Sequence, residues 1–488
     1  MPISPKLGPE AAAASMADIA PRYTPQEAII EAGRCLFCFD APCIQACPTG
    51  IDIPSFIRKI ATGNLAGSAR AILSANILGG SCARVCPTEV LCEGACVVLD
   101  REGDPVKIGR LQRHATDHAL QNRLPVLKTP ARKSGRRVAV IGGGPAGLGC
   151  AAELAQLGHE VVVFEKKPNA GGLNTYGIAW YKMMPEVSLA EVAMIQSLGV
   201  EFRCGVEVGR DLPVEQIQKE FDALFLGLGL GKGARLNVPG EDLPEVVEAL
   251  EFIEQIHTHP LHQVPVGDRV AVIGGGNTAI DAVTQARRLG ARDAVIVYRR
   301  SQAEMPAYDF EQKLAKTDGA RFLFNVVPLE ILSDGRGHVT GLKLGRTAST
   351  KGKLQTLAGS EFVEPFDMVI KAIGEEKQVN LFKRLFPALE LDKRGVVVRN
   401  PDTGQTNIPR VFAGGDCANG GREVVNAVAE GKKAARGIHA SFAGQKVIGP
   451  MQPSRYGVKG LPVGSGFDRP IRVRELEKEY AKQKSSIR

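Results

Sequence analysis

The chain reads VAVIGGGPAG from Val138 and VAVIGGGNTA from Val270, 132 positions apart, with the first seven residues identical. Each copy is an apolar β-branched run, a glycine-rich turn and then a helical pattern. That pattern spans Leu148 to Leu157 in the first copy and Ile280 to Leu289 in the second, ended by Gly158 and Gly290. Strand, turn and helix together are the context in which G-x-G-x-x-G/A marks dinucleotide binding. Gly142 and Gly144 permit the tight turn and a close backbone approach to a pyrophosphate, and Gly147, next to Ala146, lets helix pack on strand. Gly274, Gly276 and Ala279 fill these places in the second copy, where Asn277 and Thr278 open the helix. Each helix N-terminus then offers free N–H groups to phosphate. The expected fold class is therefore α/β, with two Rossmann-like dinucleotide-binding domains.

The ends of the following strands assign the ligands. In Val161-Val162-Val163-Phe164-Glu165 the acid lies 21 positions past Gly144, where a carboxylate can hold the ribose diol of FAD or NAD. The second copy is followed by Val295-Ile296-Val297-Tyr298-Arg299-Arg300. Two guanidiniums in place of an acid suit the 2′-phosphate of NADPH; the alternative is Arg299 stacked on adenine or left in solvent. A later strand, Val411 to Ala413, runs into Gly414-Gly415-Asp416 before a helix expected at Val424 to His439. Asp416 so placed can bind a ribityl hydroxyl of FAD while the helix N-terminus faces the pyrophosphate. Phe225 to Gly229 and Ile370-Lys371-Ala372-Ile373-Gly374 read as paired crossovers between two such domains. The expected division is thus 134–232 and 375–443 for FAD, with 233–374 inserted for NAD(P)H.

Ahead of these motifs lies a different chemistry. Eight of the eleven cysteines fall between positions 35 and 96, as C-x2-C-x4-C-x3-C-P and C-x3-C-P-x4-C-x3-C. A 4Fe–4S cluster needs four ligands converging on a compact cube, so short loops rich in Cys suit it, and the C-P endings echo ferredoxin runs. In two-cluster ferredoxins the last Cys serves the other cluster, so ligands can cross between groups. Zinc sites would show paired C-x2-C knuckles, and only one C-x2-C occurs here. Disulfides would suit a small secreted domain. Ile53 to Leu78 carries a helical period, and Gly109 to Leu120 also reads as helix. A helical domain at 25–133 holding two clusters is expected, after an extended or disordered 1–24.

The rest of the composition excludes more than it suggests. A net charge of +8 includes no long Lys/Arg run with interleaved aromatics, so no nucleic acid is expected as partner. No signal peptide and no apolar span is seen, so no membrane is expected and a cytoplasmic location is. No Ser/His/Asp arrangement and no HExxH occurs, so no side chain is assigned an acid–base role. Cys150 lies alone on the first fingerprint helix, and Cys204 and Cys417 form no close pair, which leaves no dithiol beside the flavin. The basic tail 444–488 carries a possible helix at Val473 to Lys484 and reads either as a docking tail or as disorder.

With both motifs together, residues 25 to 443 resemble the two-dinucleotide flavoproteins fused to a double-cluster domain. These are the small subunit of glutamate synthase and the NAD(P)H-binding half of dihydropyrimidine dehydrogenase. The stretches Gly171-Gly172-Leu173-Asn174-Thr175, Tyr181-Lys182-Met183 and Glu304 to Glu311 look closer to the dihydropyrimidine dehydrogenases. The resemblance implies one cluster on Cys35, Cys38, Cys43 and Cys96, and another on Cys47, Cys86, Cys92 and Gln112, with Cys82 a spectator; either Cys82 or Gln112 completes the second. Gly172, Leu173 and, in the loop near the flavin fingerprint, Lys182 are candidates for contact with FAD, Lys182 being otherwise an ordinary surface lysine. The resemblance also implies an FMN-containing catalytic partner, since nothing here can build the pyrimidine site. The family divides between NADPH and NADH, which leaves the coenzyme open. The activity implied is that of an oxidoreductase passing electrons from NAD(P)H through FAD and two clusters.

Overall fold

A computed structural model describes residues 3–350 and 353–444; the tail and its expected helix lie outside the described residues. The N-terminal region is helical: α1 (Pro9–Ser15), α2 (Pro25–Gly33), α3 (Pro42–Ala46), α4 (Ile53–Ala61), α5 (Leu65–Ala75), α6 (Gly79–Val85), α7 (Val97–Glu102) and α8 (Ile108–Gln121). Helix α2 starts where it does because Thr24 and Glu27 form a reciprocal capping box with Pro25 at the first helical position. Helix α4 turns Ile53, Phe56, Ile57 and Ile60 inward against α2, α5 and α8. Burying each such side chain contributes about 1.5–3 kcal/mol. Around this core sit Cys35, Cys38, Cys43, Cys47, Cys92 and Cys96.

Two sequence expectations are corrected here. The segment expected to be extended or disordered contains a helix: Pro9 and the alanines after it form α1, Ala12 is buried, and Met16 belongs to the same core cluster as Tyr181, Phe252 and Val270. Alanine is the best helix former, and a nearby apolar face gives the segment something to bury against. The single helical period over Ile53 to Leu78 is two helices, broken at Gly63 (φ +74°) and restarted by Asn64, whose side chain accepts the Gly67 N–H.

A five-stranded parallel sheet follows, with β1 (Arg137–Ile141), β2 (Glu160–Glu165), β3 (Glu201–Cys204), β4 (Ala223–Leu226) and β14 (Val411–Ala413) in the order β14-β4-β1-β2-β3. Between β4 and β14 the chain builds a second one, from β5 (Val246–Glu248), β6 (Arg269–Ile273), β7 (Asp293–Tyr298), β8 (Arg321–Phe324) and β13 (Met368–Lys371), ordered β5-β13-β6-β7-β8. Their shared RVAVI strand is buried on both faces, which is why it reads as an unbroken apolar run. The inserted part also carries an antiparallel sheet the motifs do not announce: β9 (Val326–Ser333), β10 (Val339–Thr350), β11 (Lys353–Thr356) and β12 (Phe362–Glu364).

The helices around the sheets are α9 (Pro145–Gln156), α10 (Leu173–Tyr176), α11 (Pro185–Gln196), α12 (Val214–Glu220), α13 (Ala249–Thr258), α14 (Asn277–Arg288), α15 (Asp309–Thr317), α16 (Val379–Leu385), α17 (Asp416–Asn419) and α18 (Val424–Ala443). Helices α9 and α18 cross closely, since a Cβ on Gly431 would lie 2.1 Å from the Ala146 carbonyl oxygen. No helix among the described residues is long and apolar enough to cross a membrane.

Candidate functional site

At the first fingerprint Gly142 has φ +103°, and a Cβ there would lie 2.4 Å from the Gly227 carbonyl oxygen; at Gly147 it would lie 2.0 Å from that of Gly142. The turn is thus closed on its protein side. On its other side Gly144, the N-cap of α9, has only the Gly172 Cα near its Cβ position, at 3.9 Å. Gly172 (φ +56°) brings Leu173 and α10 over the turn. Glu165, at the end of β2, takes the Gly143 N–H on one oxygen and the Lys167 N–H on the other, both at 2.8 Å. Asn174 is 0 % exposed, and neither its amide nitrogen nor its oxygen has a protein partner. Such orphaned polar atoms, beside a turn open to phosphate, fit a bound dinucleotide.

Asp416 follows Gly415 (φ +73°) and accepts the Arg422 N–H at 3.2 Å. Burial pushes its carboxyl up, against the pull of that N–H. Glu430 on α18 fixes the turn, accepting the Gly415 N–H at 2.8 Å with one oxygen while Arg399 holds the other at 2.8 Å.

The second fingerprint repeats the arrangement. Gly274 (φ +145°) lies so close to the Ala372 carbonyl that a Cβ would stand 2.2 Å away, whereas one on Gly276 would meet nothing within 4 Å. Ala279 is buried, and the Asn277 side-chain oxygen accepts the Tyr308 N–H at 3.1 Å. Thr278 lies on the partly buried first turn of α14. Beyond β7, Arg300 pairs with Glu304 at 3.1 Å, while exposed Arg299 makes no ion pair among the described residues. Ile373 is partly exposed next to Gly374, whose carbonyl accepts the Ala234 N–H at 2.8 Å. Gly231 to Ala234 and Gly374 to Glu376 therefore run side by side as the two crossovers.

Lys182 does not lie on the surface. Its ammonium is held 2.6 Å from Asp281 and 2.5 Å from Glu311, on α14 and α15. Burial alone would lower its pKa, but these carboxylates carry it above the usual lysine range. The Tyr181 hydroxyl donates to Asp281 at 3.1 Å, and the Tyr308 hydroxyl reaches back to Glu423, the N-cap of α18, at 2.8 Å. Spacing pointed to neither Glu430, Asn174 nor the Tyr308–Glu423 bond; no local signal marks them.

Among the cysteines, Cys35, Cys38, Cys43 and Cys96 line one cavity together with Pro42 and Ile53. Burial, then the neighbouring thiols Cys35 and Cys96, push Cys43 up to about 12. Cys86 is raised by a hydrogen bond with Cys82 and by burial, and Cys92 by burial; Cys47 lies near both. Gln112, 7 % exposed on α8, donates its amide N–H to the Gly79 carbonyl at 2.7 Å, so its oxygen is the side-chain atom chemically able to act as a ligand. Among the described residues no three His, Cys, Asp or Glu side chains converge as on a single ion. A four-iron cube instead holds its ligands apart at its corners, and a ring of thiols around a cavity fits that need. Cys150 is buried in the core behind the first fingerprint, Cys417 donates to the Leu226 carbonyl at 3.4 Å, and all eleven cysteines are free.

Residues 12–124 match the family described as dihydropyrimidine dehydrogenase domain II, 4Fe-4S cluster, and residues 136–431 match the pyridine nucleotide-disulphide oxidoreductases. The glutamate synthase (NADPH) small chain of Halomonas elongata is 38% identical over 445 residues, which is 87% of this chain and 93% of that protein. The NAD-dependent dihydropyrimidine dehydrogenase subunit PreT of Escherichia coli K12 is 34% identical over 427 residues, 88% of this chain and 97% of that one. Among solved structures, Mycobacterium tuberculosis FprA in complex with NADPH shares the fold, with a TM-score of 0.52 at 20% identity over 64% of this chain and 85% of that one.

Proposed function

Because the chain belongs to the pyridine nucleotide-disulphide oxidoreductases and carries a 4Fe–4S domain of the dihydropyrimidine dehydrogenase type, we propose that it is the electron-input subunit of a larger enzyme. One observation carries this reading: nucleotide turns open at Gly144 and Gly276 share a chain with a cavity ringed by Cys35, Cys38, Cys43 and Cys96. When bound, FAD supplies a hydride acceptor for NAD(P)H, and the clusters supply one-electron carriers.

The chain's own residues orient these groups. Glu165 keeps lone pairs for the ribose hydroxyls of FAD, the first turn of α9 offers N–H groups to its pyrophosphate, and Asp416 faces the ribityl chain. An ammonium has three donors; Lys182 uses two on Asp281 and Glu311, and the third serves the flavin. Arg299 is the guanidinium free for a 2′-phosphate, which favours NADPH. The ligands are Cys35, Cys38, Cys43 and Cys96 for one cluster and Cys47, Cys86, Cys92 and Gln112 for the other.

The partner is an FMN-containing subunit that reduces uracil or thymine to dihydropyrimidines. The stretches at Gly171 to Thr175, Tyr181 to Met183 and Glu304 to Glu311, with the similarity to PreT, support this reading. The greater identity to glutamate synthase small chains favours a second: electron delivery to a large glutamate-forming subunit. Anaerobic purification with the native partner tests both. Iron, FAD and an FMN protein reducing uracil with NAD(P)H support the first; a large amidotransferase supports the second. Zinc in place of iron, or no flavin, sinks both.

A further inference from the structure

The short connection between α5 and α6 is gripped at both ends by side chains of the FAD-binding part. At the carbonyl end of α5, Lys432 of α18 donates to Ser74 O at 2.9 Å and to Ala75 O at 2.6 Å. At the amide end of α6, one oxygen of Glu191 on α11 accepts the Gly80 N–H at 2.7 Å and the Ser81 N–H at 3.0 Å. The Ser81 hydroxyl donates to its other oxygen. A helix carries partial negative charge at its carbonyl end and positive charge at its amide end. Each end here meets a side chain of complementary polarity from a distant part of the chain, while burial pushes the Glu191 carboxyl up to about 7 and the Lys432 ammonium down. Glu191 is 0 % exposed and the Lys432 side chain only 12 %, so neither is a solvent-screened surface contact. Glu153, near the far end of the helix that opens at the first fingerprint, lies 3.7 Å from the Lys432 ammonium and ties it to that helix.

The gripped segment leads into the second set of expected iron ligands. The Gly79 carbonyl holds the Gln112 amide at 2.7 Å, and α6 ends at Cys86. We propose that Lys432 and Glu191 are positioning residues. They hold the Gln112 and Cys86 end of the cluster domain at a set separation from the first fingerprint, and so govern electron passage out of the flavin without affecting hydride capture. Electron tunnelling falls steeply with distance, whereas hydride transfer depends on Lys182, Gly144 and Gly276, which neither residue touches. The inference rests on the electron-input reading above.

The test compares full-length wild type, Lys432→Met, Lys432→Arg and Glu191→Gln, loaded with FAD and iron, under stopped flow with NADH and NADPH. Flavin bleaching is expected to stay within about twofold of wild type throughout. Cluster reduction, followed separately by freeze-quench magnetic resonance, is expected to slow about tenfold in Lys432→Met and to recover in Lys432→Arg. Glu191→Gln keeps one oxygen for the two N–H groups but loses the second oxygen that accepts the Ser81 hydroxyl, and is expected to slow it about threefold, which carries the test should Lys432→Met fail to fold. Before loading, amide hydrogen exchange over residues 76–82 is expected to quicken in Lys432→Met. Cluster reduction at the wild-type rate, or equal slowing of flavin and clusters, overturns the proposal. A wild-type chain that bleaches its flavin yet reduces no cluster overturns the electron-input reading instead.

Discussion

The Lys182 ammonium lies 2.6 Å from the Asp281 carboxylate, joining the loop after the first fingerprint to the helix of the second. Glu311 closes the group at 2.5 Å, and Tyr181 in the same loop packs in the core of the inserted sheet. The FAD-binding part therefore contributes both charge and apolar surface to the interior of its neighbour.

Removing one partner of a buried ion group leaves the others unpaired, which costs about 3–5 kcal/mol. Lys182→Met is accordingly expected to lower the melting temperature by on the order of 10 °C. Adding Asp281→Asn and Glu311→Gln should restore most of it. Scanning calorimetry decides this, and a single variant that melts like wild type refutes the burial argument.

Gly147→Ala and Gly276→Ala separate packing from binding. The first places a Cβ 2.0 Å from a carbonyl oxygen that cannot move, so little folded protein is expected. The second meets nothing within 4 Å and has an ordinary backbone (φ −86°). It should fold with an unchanged melting temperature while binding NAD(P)H at least about tenfold more weakly, since the methyl fills the space next to the phosphates. Fluorescence titration reads the affinity.

On the proposed assignment of Gln112 to the second cluster, Cys82→Ser is expected to keep full iron content. Gln112→Leu should lose about half of the iron or alter that cluster's magnetic resonance signal. Iron loss in Cys82→Ser with none in Gln112→Leu would reverse the assignment.

Arg299→Ala tests the coenzyme. Losing a charge-assisted bond to a 2′-phosphate should weaken NADPH by about tenfold and NADH hardly at all, as initial rates would show. Equal effects on both coenzymes would place Arg299 on the adenine ring or in solvent.

His159 supplies a pH dependence. Its ring nitrogens contact His439 at 2.9 Å and Ser134 at 2.7 Å, and burial, then His439, depress its pKa from 6.5 to about 4. Between those values the unfolded chain binds more protons than the folded one, so stability rises with pH across this window. The contribution is complete above about 6.5 and lost as pH falls toward about 4. Melting temperatures measured from pH 4 to 7 should fall less steeply with acid in His159→Gln; an unchanged slope would exclude His159 as the source.

Much of the nucleotide chemistry was legible along the chain because it is local. Gly142, Gly144 and Gly147 act within one turn, and the spacing to Glu165 is one strand–helix–strand unit. The grouping of Cys35, Cys38 and Cys43 is local too, while Cys96 joins them across 53 residues, and only the resemblance singled it out. The antiparallel strands β9 to β12 escaped because no glycine fingerprint announces them. Helix α1 escaped because its burial depends on surfaces more than 160 residues away, around Tyr181 and Phe252.

Sequence alone marked the turns open to phosphate and the run of cysteines expected to take iron, since a missing Cβ and a soft sulfur are properties of single residues. Tertiary structure alone decided that Lys182 faces Asp281 and Glu311, that Glu430 braces Gly415, and that Lys432 and Glu191 grip the segment before Cys86. Those are meetings of charged side chains with partners that sequence spacing does not bring together, and burial selects them only once the sheets have packed.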